Sequence, residues 1–246
     1  MEKKFSSVAM VVALFLMMAG SLQAIEYKVV VPKLSPVSTD AYTALIKAII
    51  DATGNKADIQ VQPFARCVYL VETKQVDIVS TEVAVPDKAK AASQKFDYSA
   101  AETNQITFVL YTNKNKRLSV DELKKGNPKG YKIETDLAHV NHFSFALIGS
   151  TSIEASLKKV DAGQIDGYIF SQGSGDSALK AAGLKNIFRQ PYDIYSGRFL
   201  LQKGTAAGSV DKMLSEGLAK IKASGQYAQI LEKVNAAAAT YIDWQP

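Results

Sequence analysis

Two stretches of this chain repeat one plan. Leu70-Val-Glu-Thr-Lys-Gln-Val-Asp-Ile-Val-Ser80 reads as the end of an amphipathic helix, a polar turn and then a strand. Lys159-Val-Asp-Ala-Gly-Gln-Ile-Asp-Gly-Tyr-Ile-Phe-Ser171 follows the same order, with Gln-Val-Asp77 matched by Gln-Ile-Asp166 at a spacing of 89 residues. That period is too long for a solenoid and suits one copy in each of two small α/β lobes. Open α/β sheets bind ligands beyond the carboxyl ends of their strands. The repeat therefore predicts a cleft with Ser80, Thr81 and Glu82 on one wall and Ser171, Gln172 and Gly173 on the other.

The first residues have the form of a secretory signal. Lys3 and Lys4 precede an unbroken apolar run of 12 residues, Val8 to Ala19, and Ala19-Gly-Ser21 and Leu22-Gln-Ala24 offer two cleavage points. Twelve residues at a helical rise cover about 18 Å, short of a bilayer core of about 30 Å. Cleavage after Ala24 is preferred, which leaves residues 25–246, expected to be free and soluble in the periplasm. Hydrophobic residues make up 47% of the chain, enough for packed cores. The lone Cys67 excludes an intramolecular disulfide and falls on the apolar stripe of a predicted helix, so it reads as buried filler. The net charge of +5 is dispersed, and its densest group, Lys114 to Lys129, lacks aromatic interleaving. No nucleic-acid partner is expected.

Along the chain, Tyr27–Val31 reads as a strand, Tyr42–Ile50 as a helix, and Ala57–Gln62 as an alternating strand. Phe64, Cys67, Val68 and Val71 form a helix stripe, and Asp77–Ser80 is the next strand. This β-α-β-α-β order predicts a mainly parallel sheet. Phe96–Ser99 and Ile106–Tyr111 read as two further strands. In the second region Tyr131–Thr135 is a strand, Thr151-Ser-Ile-Glu154 has the form of a capping box, and Ile165–Phe170 is a strand. The fold class expected is α/β, two-lobed, with mainly parallel sheets. Residues 25–112 and 191–246 make a discontinuous first lobe, 113–190 make the second, and two crossing segments form a hinge. One continuous α/β domain is the plainer alternative.

Several of these segments resemble the bacterial extracellular solute-binding proteins of family 3, which have the type II periplasmic binding fold. The carriers are Pro63-Phe-Ala-Arg66 with the helix running to Asp77; Val85-Pro-Asp-Lys-Ala-Lys90 with Phe96-Asp-Tyr-Ser99; Leu157 to Asp166; and Ile221 to Lys233. The resemblance implies a periplasmic receptor, expected to be monomeric, that delivers a small solute to an inner-membrane ABC permease or to a sensor, with no cofactor. Amino-acid receptors of that family carry an Arg that grips the α-carboxylate, where this chain has Lys88, and an Asp for the α-ammonium, where it has Ser171. Lysine lacks the planar fork of arginine. The family's Gly-Thr-Thr helix start is replaced by Glu134-Thr-Asp-Leu-Ala-His139, which makes Thr135, Asp136 and His139 candidates.

Arg66 sits in the first turn of its predicted helix, where a cation is disfavoured, so an anion pocket there competes with a surface arginine bent toward solvent. Ser80, Thr81, Glu82, Ser171 and Gln172 are expected to meet the solute, against the alternative that they only end strands. His139 and His142 lie one helical turn apart near Glu134 and Asp136, the pattern of a metal cluster, or else of two polar residues at a cleft mouth. Asp77 and Asp166 read as structural turn caps. The overall expectation is a binding protein for a small polar, anionic or amino-acid-like solute. The rivals are an enzyme resembling periplasmic cyclohexadienyl dehydratases, with Glu82 or His139 as general acid, and a metal-dependent receptor. No Gly-rich phosphate loop or nucleophile elbow occurs in the sequence.

Overall fold

The computed structural model describes residues 23–239 and Gln245. Most of the expected signal segment, and Trp244, lie outside the described residues. One eight-stranded sheet runs through the molecule in the order β2-β1-β3-β8-β4-β7-β5-β6. In chain order, β1 is Glu26–Pro32, α1 Pro36–Asp51, β2 Lys56–Gln62, α2 Phe64–Glu72, β3 Ile78–Val83, α3 Lys88–Ser93 and β4 Phe96–Asn113. Then follow α4 Val120–Lys124, β5 Ile133–Asp136, a 3₁₀ turn Leu137–His142, β6 Ile148–Ser150, α5 Ile153–Asp161, β7 Gly167–Ser171, α6 Gln172–Ala182, β8 Ile187–Gln202, α7 Ser209–Ala223 and α8 Gln226–Ala239. The outer strands pair in parallel, β1 with β2 and β3, and β5 with β6 and β7, as the helix-linked order requires. The three central pairings, β3 with β8, β8 with β4 and β4 with β7, are antiparallel.

Alternating side chains give each half of the sheet two cores. Val29 and Val31 of β1 face α1 and α7 with Leu45, Ile46, Ile49, Leu214 and Ile221, whereas Val30 turns to the opposite face with Cys67, Val71 and Val79. In the other half Phe108 and Leu110 pack with Leu123, Ile133 and Phe143, while Val109 and Tyr111 pack with Leu157, Val160 and Leu179 beneath α5 and α6. Each fully buried aliphatic side chain contributes about 1.5–3 kcal/mol, so neither half depends on a cross-link. Cys67 is fully buried, and burial pushes its thiol up to about 12, which fits its reading as filler.

The repeated motif is a structural clasp. Asp77 accepts the backbone N–H of Lys28 at 2.9 Å while its own N–H bonds the Lys28 carbonyl at 2.9 Å. Asp166 does the same to Lys132, at 2.8 Å in both directions. Each aspartate thus aligns its strand with the parallel neighbour.

Three expectations change in detail. The segments expected as separate strands at 96–99 and 106–111 are one strand, β4, because β8 pairs with it along its whole length despite the polar stretch Ser99–Gln105. The N-cap of α5 is Ser152, not Thr151: its hydroxyl accepts from the Ala155 N–H. Ser80, Thr81 and Glu82 lie within β3 rather than after it, at a shift of register between Val79 and Glu82.

The passage between the halves lies along β4 and β8. Their pairing slips between Tyr98 and Gln105, opposite Ser196 and Arg198. Gly197 sits at that slip, where an added Cβ would lie 2.7 Å from Thr103 Oγ1 and 3.0 Å from the Asn104 carbonyl. Only glycine lets the two backbones approach so closely.

Candidate functional site

Where the halves meet, a cavity of about 110 Å³ opens. A water-sized site needs about 10–15 Å³, so the space suits a solute of only several heavy atoms. Phe64, Phe108 and Phe170 supply apolar wall, and Tyr42, Asn104, Gln105 and Thr107 line the hinge side. The first turn of α6 closes one end, with Ser171, Gln172, Gly173 and Ser174 all on the cavity wall. Ser171 occupies the N-cap position, yet its side chain makes no capping bond. The first N–H groups of a helix have no partners within it, so this end offers donors and a partial positive charge to whatever enters.

Glu82 and His139 form the ionisable part of the wall. Glu82 comes from β3, and His139 from the 3₁₀ turn after β5, which starts because Asp136 accepts the Ala138 N–H at 2.9 Å. His139 Nε2 lies 2.9 Å from Glu82 Oε1, and the same oxygen accepts from the Val83 N–H at 2.7 Å. His142 Nε2 lies 2.8 Å from the Val83 carbonyl and 3.8 Å from Glu82 Oε1. The His139 ring is ringed by Phe64, Phe108 and Phe170 at centroid distances of 4.9, 5.5 and 5.8 Å. Such surroundings disfavour charge on either partner. Burial pushes the Glu82 carboxyl up to about 7, opposed by His142 and by the Val83 N–H. Burial pushes both imidazoles down to about 4, only partly opposed by Asp136 at His139 and by Glu82 at His142. Ser80 Oγ and His139 Nδ1 are buried without a hydrogen-bond partner among the described residues.

The predicted site residues divide into three groups. Thr81, Glu82, His139, Ser171 and Gln172 come together on the cavity wall. Ser80, Thr135 and Asp136 stand behind it: the Thr135 hydroxyl is used on the Ile169 carbonyl at 2.8 Å, and Asp136 caps the 3₁₀ turn. Arg66 and Lys88 are not among the lining residues. Arg66 is exposed, stacks over Tyr69 at 4.8 Å and lines a separate hollow with Lys28, Asp58 and Gln60. Lys88 is exposed at the start of α3. Of the two acids expected near the histidines, Asp136 acts on His139 through its charge, and Glu134 is turned away to Ser156 and Lys159, at 2.7 Å from each. Glu82 takes that place from 57 residues away. Sequence reading missed Phe64, Phe108 and Phe170 as wall, since each sits on an ordinary apolar stripe.

The chain belongs to the bacterial extracellular solute-binding proteins, family 3, whose model matches residues 40–236. It is a binding protein by family, and its fold is the two-lobed one of periplasmic binding proteins. Among solved structures it is similar to a histidine kinase sensor domain with similarity to periplasmic binding proteins, at 16% identity over 86% of this chain and 95% of that one, with a TM-score of 0.65. An ancestral arginine-binding protein bound to arginine matches at 15% identity over 85% and 97% of the two chains, with a TM-score of 0.65. An ancestral amino-acid-binding protein described as a precursor of cyclohexadienyl dehydratase matches at 15% over 85% and 94%, with a TM-score of 0.62. Likeness at this level of identity establishes the fold alone. No curated protein matches the chain. Among the described residues, no helix is long and apolar enough to cross a membrane.

Proposed function

We propose that the chain is a periplasmic receptor that captures a small amino-acid-like solute in the cavity between its lobes and passes it to an ABC importer or to a sensor. The observation that carries this reading is the cavity itself, set at the slip in β4 and β8 and closed by the uncapped first turn of α6. On this reading the hinge between the lobes lies at that slip, residues 102–105 and 196–198, whereas the sequence alone suggested crossings near 112 and 190. A carboxylate, or another acceptor group of the solute, meets the N–H groups of α6, each such interaction being worth about 0.3–1 kcal/mol. The apolar body of the solute lies on Phe64, Phe108 and Phe170. Arg66 and Lys88 have no part in this scheme, so the anionic end is met by backbone dipoles and not by a side-chain cation.

The test is a thermal-shift screen of residues 25–246 in EDTA, after unfolding and refolding to strip any carried solute. Amino acids, small carboxylic acids and amines form the panel. A solute at 100 times its Kd stabilises by about 2.7 kcal/mol, a shift of a few degrees for a chain of this size. A specific shift that weakens in Ser171→Ala supports the reading, because that hydroxyl has no capping role to lose. A panel without any shift overturns it.

A further inference from the structure

We propose that Glu82, His139 and His142 form a binding site for one divalent transition-metal ion that ties the two halves of the sheet together. Among the described residues they are the one group in which at least three such side chains each place a potential ligand atom within 4.8 Å of the others. All three are buried. Both imidazoles hold Nε2 near the same carboxylate oxygen, His139 bonded to it at 2.9 Å and His142 at 3.8 Å while bonded to the Val83 carbonyl. A tetrahedral ion with metal–donor distances of about 2.0–2.2 Å needs its donors about 3.3–3.5 Å apart. The two imidazole–carboxylate separations bracket that value and all three donors lie within 4.8 Å of one another, so shifts on the order of an ångström seat the ion. The spacing of the histidines supports this: three residues make one turn of a 3₁₀ helix, which brings both rings to one side.

The donor set selects the ion. Two imidazoles and one carboxylate suit Zn²⁺, Cu²⁺, Ni²⁺ or Co²⁺, whereas Ca²⁺ and Mg²⁺ demand mostly oxygen. Binding requires a lone pair on each Nε2, so the ring proton moves to Nδ1 and the His142 bond to the Val83 carbonyl is given up. Glu82 belongs to β3 and the histidines to the segment after β5, so the ion bridges the halves, as the bond from Lys90 Nζ to the Phe143 carbonyl at 3.0 Å already does. With three protein ligands, one position of a tetrahedral shell remains for water or for a group of the solute.

The experiment uses the refolded chain with added Zn²⁺, Co²⁺ or Cu²⁺, and with Ca²⁺ and Mg²⁺ as controls. Calorimetry should show one Zn²⁺ per chain and nothing for the controls. Cu²⁺ bound to the chain should show electron-paramagnetic-resonance splitting from two imidazole nitrogens, reduced to one in His142→Gln. Glu82→Gln and His139→Gln, checked for folding by circular dichroism, should each weaken Zn²⁺ binding by about 100-fold or more, beyond the 10–100-fold typical of losing a group that only supports a ligand. Absence of binding, or binding unchanged in all three variants, overturns the proposal. The solute screen in EDTA stands apart from this result: solute binding without metal keeps the receptor reading and leaves the ion site to be judged by its own titration.

Discussion

Two buried clusters of ionisable groups among the described residues are built to opposite ends. Asp176, on α6, receives both arms of Arg189 on β8, Nε at 2.8 Å and Nη2 at 2.7 Å, and the Tyr111 hydroxyl at 2.9 Å. The planar guanidinium satisfies the carboxylate from two sides, and the pair is 0% and 4% exposed. Glu82 and His139 are as deeply buried and the His142 side chain nearly so, yet the histidines make a single close contact with the carboxylate and leave Nδ1 of His139 without a partner among the described residues. An arginine holds its proton under all ordinary conditions; an imidazole does not. The first cluster is a fastening. The second lies on the cavity wall, and an incompletely satisfied group there is available to something that enters.

The largest expected effect falls on the fastening. Asp176→Ala leaves a buried guanidinium without its carboxylate and should lower stability by about 3–5 kcal/mol in denaturant titration. Pairing Asp176→Leu with Arg189→Met should recover most of that loss, since both charges are then gone. A loss below about 1 kcal/mol for the single variant would erase the contrast between the clusters.

Acid should act on the other cluster. The two imidazoles have folded pKa values lowered from 6.5 to about 4, so the unfolded chain takes up their protons first and stability falls as pH drops through that range. Glu82 works the other way: its folded pKa is raised from 4.5 to about 7, so its carboxyl favours the folded state at low pH and disfavours it as pH rises through that window. Two histidines against one glutamate leave a net loss of about 2–3 kcal/mol on going from pH 6.5 to 4.5. In the double variant His139→Gln with His142→Gln, the slope over that interval should reverse sign, which urea midpoints at several pH values will show.

The smallest effect is expected outside both clusters. Arg66→Ala removes an exposed charge stacked on Tyr69 and should change stability by no more than about 0.5 kcal/mol. Solute affinity in the same variant should be unchanged within twofold; a larger loss would return Arg66 to the binding scheme.

Much of the fold was legible because its signals are local. The Gln-Val-Asp77 and Gln-Ile-Asp166 repeat announced two equivalent units, and the structure shows why the aspartates recur: each locks a strand to the backbone of its parallel neighbour. The stripe through Cys67 and Val71 announced a packed helix. The site was legible only in part, because its geometry is set by distant pairings. Nothing near His139 in the chain points to Glu82; of the two nearby acids, Glu134 is drawn off by Ser156 and Lys159 and Asp136 caps the 3₁₀ turn. Asp176 was invisible as half of an ion pair, standing in an unremarkable Gly-Ser-Gly-Asp run. The polar stretch Ser99–Gln105 read as a break because a strand's continuity there depends on its partner β8 and not on its own composition.

The two aspartate clasps also set an order of assembly. The Asp166 clasp closes a segment of 34 residues and the Asp77 clasp one of 49. The half containing Asp166 is nearly continuous in the chain, whereas the half containing Asp77 is complete only when β8 and α7 arrive from the far end. Shorter closures cost less chain entropy and form sooner. Pulse-labelled hydrogen exchange during refolding should therefore find the amides of β5 and β7 protected before those of β1 and β3, with the inserted half serving as the template on which the outer half finishes.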